Sequence, residues 1–185
     1  LIMAEKLKSP RLATVIMAVM IALAVILGSG RSLRALRADV EEIFWNGVSG
    51  DGIGVASDLS RNRDDAYNLL SVARGYAVDS ALLSALENAV ADFDAAGSDI
   101  EALFDANTAL TGAVTDLYEA MGRQSLSDRD ESYRQSLYYN ILARNDTMSR
   151  DGYNTAALEF NQLLDRFPAS LLRRFTSVSP APLVR

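Results

Sequence analysis

The chain has no cysteine and no histidine among its 185 residues. Without thiols it forms no disulfide framework and no thiolate zinc site. Without imidazole it lacks Cys–His and Ser–His–Asp nucleophiles and the Glu-x-x-His di-iron site of ferritin-like bundles. The missing imidazole is also the most common general base in enzymes. We therefore predict a protein without catalytic residues, without a cofactor and without a bound metal.

Proline is scarce as well, and none of the four prolines lies between Arg11 and Phe167. Apolar residues in this interval recur at three- and four-residue spacing, which is the period of amphipathic helices. The pattern predicts an all-α protein in which short connections join antiparallel neighbours of an up-and-down bundle. The predicted bundle occupies residues 31–168, with helices of about 31–46, 57–96, 98–122 and 127–167, and a C-terminal tail follows at 169–185.

Charge is distributed unevenly along the chain, whose net charge is −6. Residues 1–37 carry six basic and one acidic side chain, whereas residues 38–185 carry 12 basic and 23 acidic ones. Nucleic-acid binding requires a concentration of basic side chains. We therefore expect no nucleic-acid partner for this protein.

One long run, residues 12–30, contains no charged side chain. At 1.5 Å per residue such a helix reaches roughly 28 Å, close to the thickness of the hydrocarbon core of a bilayer. A basic segment, residues 1–11, precedes it, and Gly28-Ser29-Gly30 resembles a small-residue cleavage site, so a cleaved secretory signal is one alternative. A buried core helix of a soluble protein is another.

The length of this run favours an uncleaved transmembrane helix. It exceeds the 7–15 residues usual for the apolar part of a signal, and the following "RSLRALRADVEEIFW" continues at helical spacing. We predict a single-pass protein anchored in the bilayer through residues 12–30. Arg31, Arg34 and Arg37 nearly balance the basic residues before the run. The positive-inside rule therefore only slightly favours a cytoplasmic N-terminus and an extracytoplasmic bundle.

The stretch "GVSGDGIGVASDL", residues 47–59, is the most glycine-rich part of the chain. Its G-x-G-x-G spacing is neither a dinucleotide fingerprint nor a P-loop, and Asp51 does not begin a calcium-binding series. We interpret the stretch as a mobile connection between two helices that tolerates substitution.

The C-terminal sequence "SRDGYNTAALEFNQLLDRFPASLLRRFTSVSPAPLV" resembles the ending of the LemA family. Members of this family close with two Tyr-Asn pairs seven residues apart, then Phe-Pro, then a Pro-Ala-Pro tail, and an arginine commonly precedes the first pair. In this chain the second tyrosine is replaced by phenylalanine. The matching positions are Arg150, Tyr153-Asn154, Phe160-Asn161, Phe167-Pro168 and Pro180-Ala181-Pro182.

A second block, "LSRNRDDAYNLLSVARGY", is similar to a LemA pattern without gaps, with Tyr67 at the position of the family's proline. Trp45 resembles a tryptophan that members carry late in the first helix. The resemblance implies a bacterial single-pass membrane protein of the cell envelope, with a helical-bundle domain and no established enzymatic activity. The matching residues of the block are Leu59, Arg61, Asp64, Asn68, Leu69, Gly75 and Tyr76.

Six polar or aromatic residues stand out as candidates for a binding role, because asparagine is a poor helix former and several lie near apolar stripes. Buried amides that fix the register of helices are one interpretation, and a polar surface for a protein partner is another. We favour a scaffold or adaptor that binds a protein partner, or a further copy of itself, through the bundle surface. The alternative is an envelope ligand receptor or enzyme with an Asp/Asn/Tyr cleft between helices. The six residues are Asp64, Asn68, Arg150, Tyr153, Asn154 and Asn161.

Overall fold

The computed structural model describes residues 10–50 and 52–184. These residues form α-helices and no β-strand, so the all-α prediction is confirmed for this part of the chain. Residues 1–9 of the predicted basic segment lie outside it. The helices are α1 (Pro10–Asn46), α2 (Val55–Ala73), α3 (Ser80–Ala96), α4 (Ile100–Met121), α5 (Asp128–Ser149), α6 (Gly152–Asp165) and α7 (Ala169–Thr176).

Helix α1 is continuous through the predicted end of the membrane segment. Its 37 residues correspond to about 56 Å, which is about twice the reach of the uncharged run alone. It ends at Asn46, after which Gly47 has a positive φ of 76°. Within the described residues, α1 is the one helix long and apolar enough to cross a membrane.

The chain divides into two compact units. The first unit combines the chain up to Glu41 with Ala157–Ala181, and its buried residues include Leu33, Phe160 and Leu164. The second unit contains Glu42–Ala156 and the residues from Pro182 onward. In it α2 packs against α3, α4 and α5, while α4 also packs against α3 and α5. Its largest fully buried side chains are Phe44, Leu59, Leu69, Leu70, Leu86, Leu110, Leu117, Met121, Ile141, Met148 and Tyr153.

The prediction of one helix over residues 57–96 is wrong, because the chain leaves the helix after Ala73 and starts α3 at Ser80. The amide of Gly75 donates to the carbonyl of Val72, which tightens the last turn of α2. Asp79 then caps α3, with its carboxylate accepting a hydrogen bond of 2.8 Å from the amide of Ala81. A capping carboxylate satisfies an amide that has no partner inside the helix, and so favours a new start at this point.

The prediction of one helix over residues 127–167 is wrong for a similar reason. Helix α5 ends at Ser149, and α6 begins at Gly152. The carboxylate of Asp151 accepts a hydrogen bond of 2.7 Å from the amide of Tyr153, in the first turn of α6. The chain therefore has a full break between Ser149 and Gly152.

The prediction of a tail without helix at 169–185 is also incomplete. Ala169–Thr176 forms the short helix α7, which begins directly after Pro168. Only the residues after Thr176 lack helix within the described part of this segment. Eight residues give little more than two helical turns, so the three- and four-residue period had too little length to be recognised.

The glycine-rich connection is not uniformly tolerant of substitution, which corrects the expectation from the sequence. Gly50 and Gly52 have positive φ angles of 66° and 79° and open space around them. Gly54, in contrast, is buried, and a Cβ atom at this position would lie 2.3 Å from the carbonyl oxygen of Phe44. Backbone packs against backbone here, so only glycine fits.

Candidate functional site

Two of the six predicted residues lie on the exposed surface of α2. The Asp64 carboxylate is 3.3 Å from the guanidinium of Arg63, and Asn68 is exposed. Arg150 is likewise exposed and pairs with Asp146, one helical turn earlier. These three side chains are accessible to a partner, and the prediction that they bind one remains a prediction.

Tyr153 is fully buried within an aromatic cluster of the second unit. Its ring centroid is 5.4 Å from that of Phe44 and 6.0 Å from that of Phe104. The phenol hydroxyl donates a hydrogen bond of 2.7 Å to the carbonyl of Pro182. A buried tyrosine hydroxyl needs such a partner, and here the partner belongs to the C-terminal segment.

Asn154 and Asn161 each bind the backbone of one C-terminal residue. In the first unit, Asn161 donates to the carbonyl of Ala181 at 2.9 Å and accepts from its amide at 2.6 Å. In the second unit, Asn154 accepts from the amide of Val184 at 2.9 Å and donates to its carbonyl at 3.4 Å. An asparagine that pairs with both backbone groups of one residue satisfies them as a neighbouring β-strand would. These two amides thus hold the C-terminal segment.

A cluster of three other asparagines connects α2, α4 and α5, and none of the three was among the predicted site residues. We call Asn62, Asn107 and Asn145 the amide cluster. Asn62 donates to the side-chain oxygens of Asn107 and Asn145 at 3.0 and 2.8 Å, and Asn107 donates to Asn145 at 3.1 Å. The guanidinium of Arg144 donates to the oxygen of Asn62 at 2.8 Å and also pairs with Asp65.

The amide cluster lies at the centre of the second unit, where Asn62 is fully buried. Asn145 donates onward to the hydroxyl of Thr111 at 3.0 Å, which in turn donates to the carbonyl of Asn107 at 2.8 Å. A buried amide without partners is costly, whereas a network of satisfied amides fixes how helices align. The register-setting role that the sequence suggested for other asparagines is therefore well supported for these three.

A small cavity of about 180 Å³ adjoins the cluster, with Leu59, Phe104, Asn107 and Asn145 among its lining residues. Pockets that bind small molecules usually measure about 300–1,000 Å³. The amides next to the cavity already bond to each other and to Thr111. Both observations weigh against a ligand-binding or catalytic cleft at this cavity.

A spacing signal for the amide cluster was present in the sequence. Asn62 precedes Ala66 and Leu69 at intervals of four and three residues, so it continues the buried stripe of α2. Asn107 continues the buried stripe of α4 in the same way, three residues before Leu110. A polar residue at the spacing of an apolar stripe is a candidate for a buried network. The sequence does not show which helices contact each other, however, so it does not show which of these residues meet.

The second unit also contains an arginine that is nearly fully buried, Arg134. It forms two hydrogen bonds of 2.8 and 2.6 Å with the carboxylate of Glu131 and donates to the carbonyl of Tyr118 at 2.8 Å. The hydrogen bonds from Arg134 lower the pKa of Glu131 below its ordinary value. The guanidinium also lies 4.0 Å from the centre of the Tyr118 ring, a cation–π distance.

The first unit contains a groove of about 840 Å³, which we call the α1 groove. On one side it is lined by the last part of the uncharged run, including Val25 and Gly28. On the other side the segment 159–172 contributes Leu163, Arg166 and Leu172. The groove is thus mainly apolar, with one cationic side chain, Arg166, and one anionic side chain, Glu159, among its lining residues.

No protein-family model, curated protein or solved structure matches this chain. The LemA resemblance therefore remains a prediction based on the motifs in the sequence. Within the described residues, no three carboxylates lie close enough together to hold a metal ion. What the chain does has to be inferred from the surfaces that it exposes.

The most apolar of these surfaces is the N-terminal part of α1. Its large side chains are exposed along the uncharged run, including Met20 at 63% and Leu27 at 72% of full exposure. A soluble protein rarely leaves a contiguous apolar surface of this size in water. By length and composition, α1 could cross a membrane, where such a surface would face lipid.

Proposed function

We propose that this chain is a membrane-anchored helical module of the LemA type that acts as a scaffold or adaptor at the bacterial cell envelope, without catalytic activity of its own. The observation that carries the proposal is the exposed apolar surface of α1 over residues 13–27. Its length and composition suit a bilayer, and a helix satisfies its own backbone groups there. The folded second unit is then held at the membrane, on the extracytoplasmic side.

We also propose that helices α2–α5 form an antiparallel up-and-down bundle. The support is that these helices follow one another through short connections and that α2 packs against both α3 and α5. In such a bundle the apolar stripes of the helices pack against each other in the core. The outward faces are then free to bind a protein.

Helix α5 offers the best candidate for the docking face. Tyr139 and Leu142 are exposed on it, at 58% and 36%, and the ring of Tyr138 is 5.3 Å from that of Tyr139. Tyrosine is enriched at protein–protein interfaces because its ring is apolar and its hydroxyl is polar. The second unit carries nine basic and 19 acidic residues, a net charge of −10, so a partner with a basic surface fits it best.

The test is photo-crosslinking in living bacteria at native expression. A photoreactive residue at Tyr139 is compared with one at the exposed Ala91 of α3. We expect a discrete protein adduct from position 139 only, and we expect the second unit to be digested by protease added outside the cytoplasmic membrane. Identical patterns from both positions, or adducts with lipid alone, would contradict an adaptor function.

A further inference from the structure

The C-terminal end of α7 packs on α1 at the point where the uncharged run ends. The guanidinium of Arg34 donates a hydrogen bond of 3.1 Å to the carbonyl of Thr176, the last residue of α7. A Cβ atom on Gly30 would lie 2.8 Å from the methyl group of Thr176, so the two helices approach closely there. If α1 crosses a bilayer through residues 12–30, α7 lies at the level of the lipid headgroups.

The segment leading into and through α7 exposes an apolar series with a spacing of four residues. Leu163, Phe167, Leu171 and Phe175 are exposed at 40%, 81%, 51% and 63%. Ala169 and Thr176, on another side of α7, are buried. We call these four exposed residues the interfacial series. Single exposed apolar residues are normal, but a series that includes two phenylalanines needs a partner.

Positive charge accompanies the interfacial series. Arg166 and Arg174 are exposed next to Phe167 and Phe175, whereas Arg173 pairs with Asp165 at 2.9 Å. Past the uncharged run, on the side where α7 lies, residues 31–41 and 157–181 of the first unit carry six basic and four acidic residues, a net charge of +2, in a protein of net charge −6. The unit that contains the apolar helix is therefore the one whose charge suits an anionic lipid surface.

We propose that α7, together with the residues that lead into it, lies in the membrane interface, so that the interfacial series inserts into the headgroup region of an anionic bilayer while Arg166 and Arg174 contact lipid phosphates. This inference rests on the proposed membrane anchor, because α1 brings α7 to that surface. Eight residues alone would bind a membrane weakly, but a tethered helix binds at high effective concentration. The α1 groove opens along the same residues and gives acyl chains access to Leu163 and Leu172.

The absence of cysteine makes site-specific labelling straightforward. Full-length protein is reconstituted in nanodiscs that contain phosphatidylglycerol and phosphatidylcholine. A single spin label is placed through Leu171→Cys, Phe175→Cys, Met20→Cys or Ala91→Cys. Collision with oxygen, which concentrates in lipid, and with a water-soluble nickel chelate reports where each label lies. The Met20 label reports the anchor, and the Ala91 label is the water-exposed control.

We expect the label at position 20 to be accessible to oxygen and protected from nickel, and the labels at positions 171 and 175 to be less accessible to nickel than the label at position 91. If position 20 is in lipid while 171 and 175 are as accessible to nickel as position 91, the interfacial helix is overturned and the anchor stands. If position 20 is itself accessible to nickel, the anchor fails, and with it both proposals. The two failures are therefore distinguishable.

The charge requirement is tested with the label at position 175. The double variant Arg166→Gln/Arg174→Gln should shift this label toward nickel accessibility in anionic nanodiscs. Arg123→Gln/Arg129→Gln, on exposed arginines of the second unit, is the matched control and should leave the label unchanged. Replacing phosphatidylglycerol by phosphatidylcholine should remove the difference between the first double variant and the parent protein. An equal effect of both double variants would overturn the role of Arg166 and Arg174.

Discussion

Gly54 has a larger structural role than its place in a polar, glycine-rich stretch indicates. A methyl group at this position would meet the backbone of Phe44 and Trp45, at 2.3 and 2.8 Å. Backbone atoms in two adjoining elements cannot yield as the end of a flexible side chain can. Overpacking of this kind typically costs about 1–3 kcal/mol.

We therefore predict that Gly54→Ala lowers the free energy of unfolding by at least about 2 kcal/mol. The matched control is Gly112→Ala in α4, where an added Cβ has no atom within 4 Å. Removing a glycine from the interior of a helix should stabilise the protein by about 0.5–1 kcal/mol. Thermal unfolding of the full chain in detergent, followed by circular dichroism, measures the stability change of each of the two variants. Equal melting temperatures for the two variants would show that the connection yields at Gly54.

The amide cluster allows a second comparison within one helix. Asn62→Ala removes the group that accepts from Arg144 and donates to Asn107 and Asn145, so buried partners lose hydrogen bonds. We predict a loss of about 2–3 kcal/mol in the free energy of unfolding. Asn68→Ala on the exposed face of α2 should change it by less than about 0.5 kcal/mol. Denaturant unfolding measures both variants. If Asn62→Ala and Asn68→Ala changed the free energy of unfolding by similar amounts, the amide cluster would contribute little to stability.

At the scale of elements, the ends of helices were harder to predict than their existence. The predicted helix at 98–122 agrees closely with Ile100–Met121, because Asp99 and Gly122 lie on either side of an uninterrupted apolar stripe. The break after Ala73 was missed because Tyr76 and Leu83 keep an approximate helical period across it. The spacing of apolar residues does not reveal a capping residue such as Asp79, which starts a new helix.

Asp79 can be tested directly as the residue that separates α2 from α3. Asp79→Ala removes the hydrogen bond to the amide of Ala81, and loss of an N-cap typically costs about 1 kcal/mol. The control is Asp92→Ala, at an exposed position inside α3, where alanine is the better helix former. We expect hydrogen exchange at the first amides of α3 to accelerate only in the Asp79 variant. Unchanged exchange there would show that packing, and not the cap, fixes the start of α3.

For the candidate sites, the sequence indicated some of the residues but not the partners that they contact. Asn154 and Asn161 were predicted as site residues because asparagine is a poor helix former and these two lie near apolar stripes, but their partners include backbone groups of Val184 and Ala181, which no periodicity predicts. The amide cluster joins positions 45 and 83 residues apart in the sequence. Contacts over such separations depend on how helices pair, and helix pairing is specified by packing and not by local pattern.

At the scale of the whole molecule, the acidic second unit makes stability depend on pH. Hydrogen bonds from their partners lower the pKa of Asp94 (from Arg63), Asp130 (from Tyr76) and Glu131 (from Arg134). A carboxyl group with a lowered pKa in the folded state stabilises the fold above its unfolded pKa, about 4. That stabilisation disappears as pH falls through the lowered value, because the unfolded state then takes up more protons.

We therefore predict that the melting temperature of the full chain falls as pH decreases from about 5 toward 2, with a smaller decrease in Asp94→Asn/Glu131→Gln. At neutral pH this double variant should be less stable than the parent protein, and the two curves should converge in acid. Asp116→Asn/Glu119→Gln, at exposed positions of α4, is the control and should follow the parent curve. Parallel curves for the parent and the first double variant would exclude these carboxylates as the source of acid sensitivity.

The amide cluster also has a consequence for how this protein can change during evolution. Each of its three asparagines is satisfied largely by the other two, so replacing one leaves buried groups unpaired, whereas replacing all three by apolar residues can be nearly neutral. Intermediate sequences are thus the least stable ones. Among homologous sequences, positions 62, 107 and 145 should therefore covary, being amides together or apolar together. Independent variation at these positions would show that the second unit tolerates a partial network.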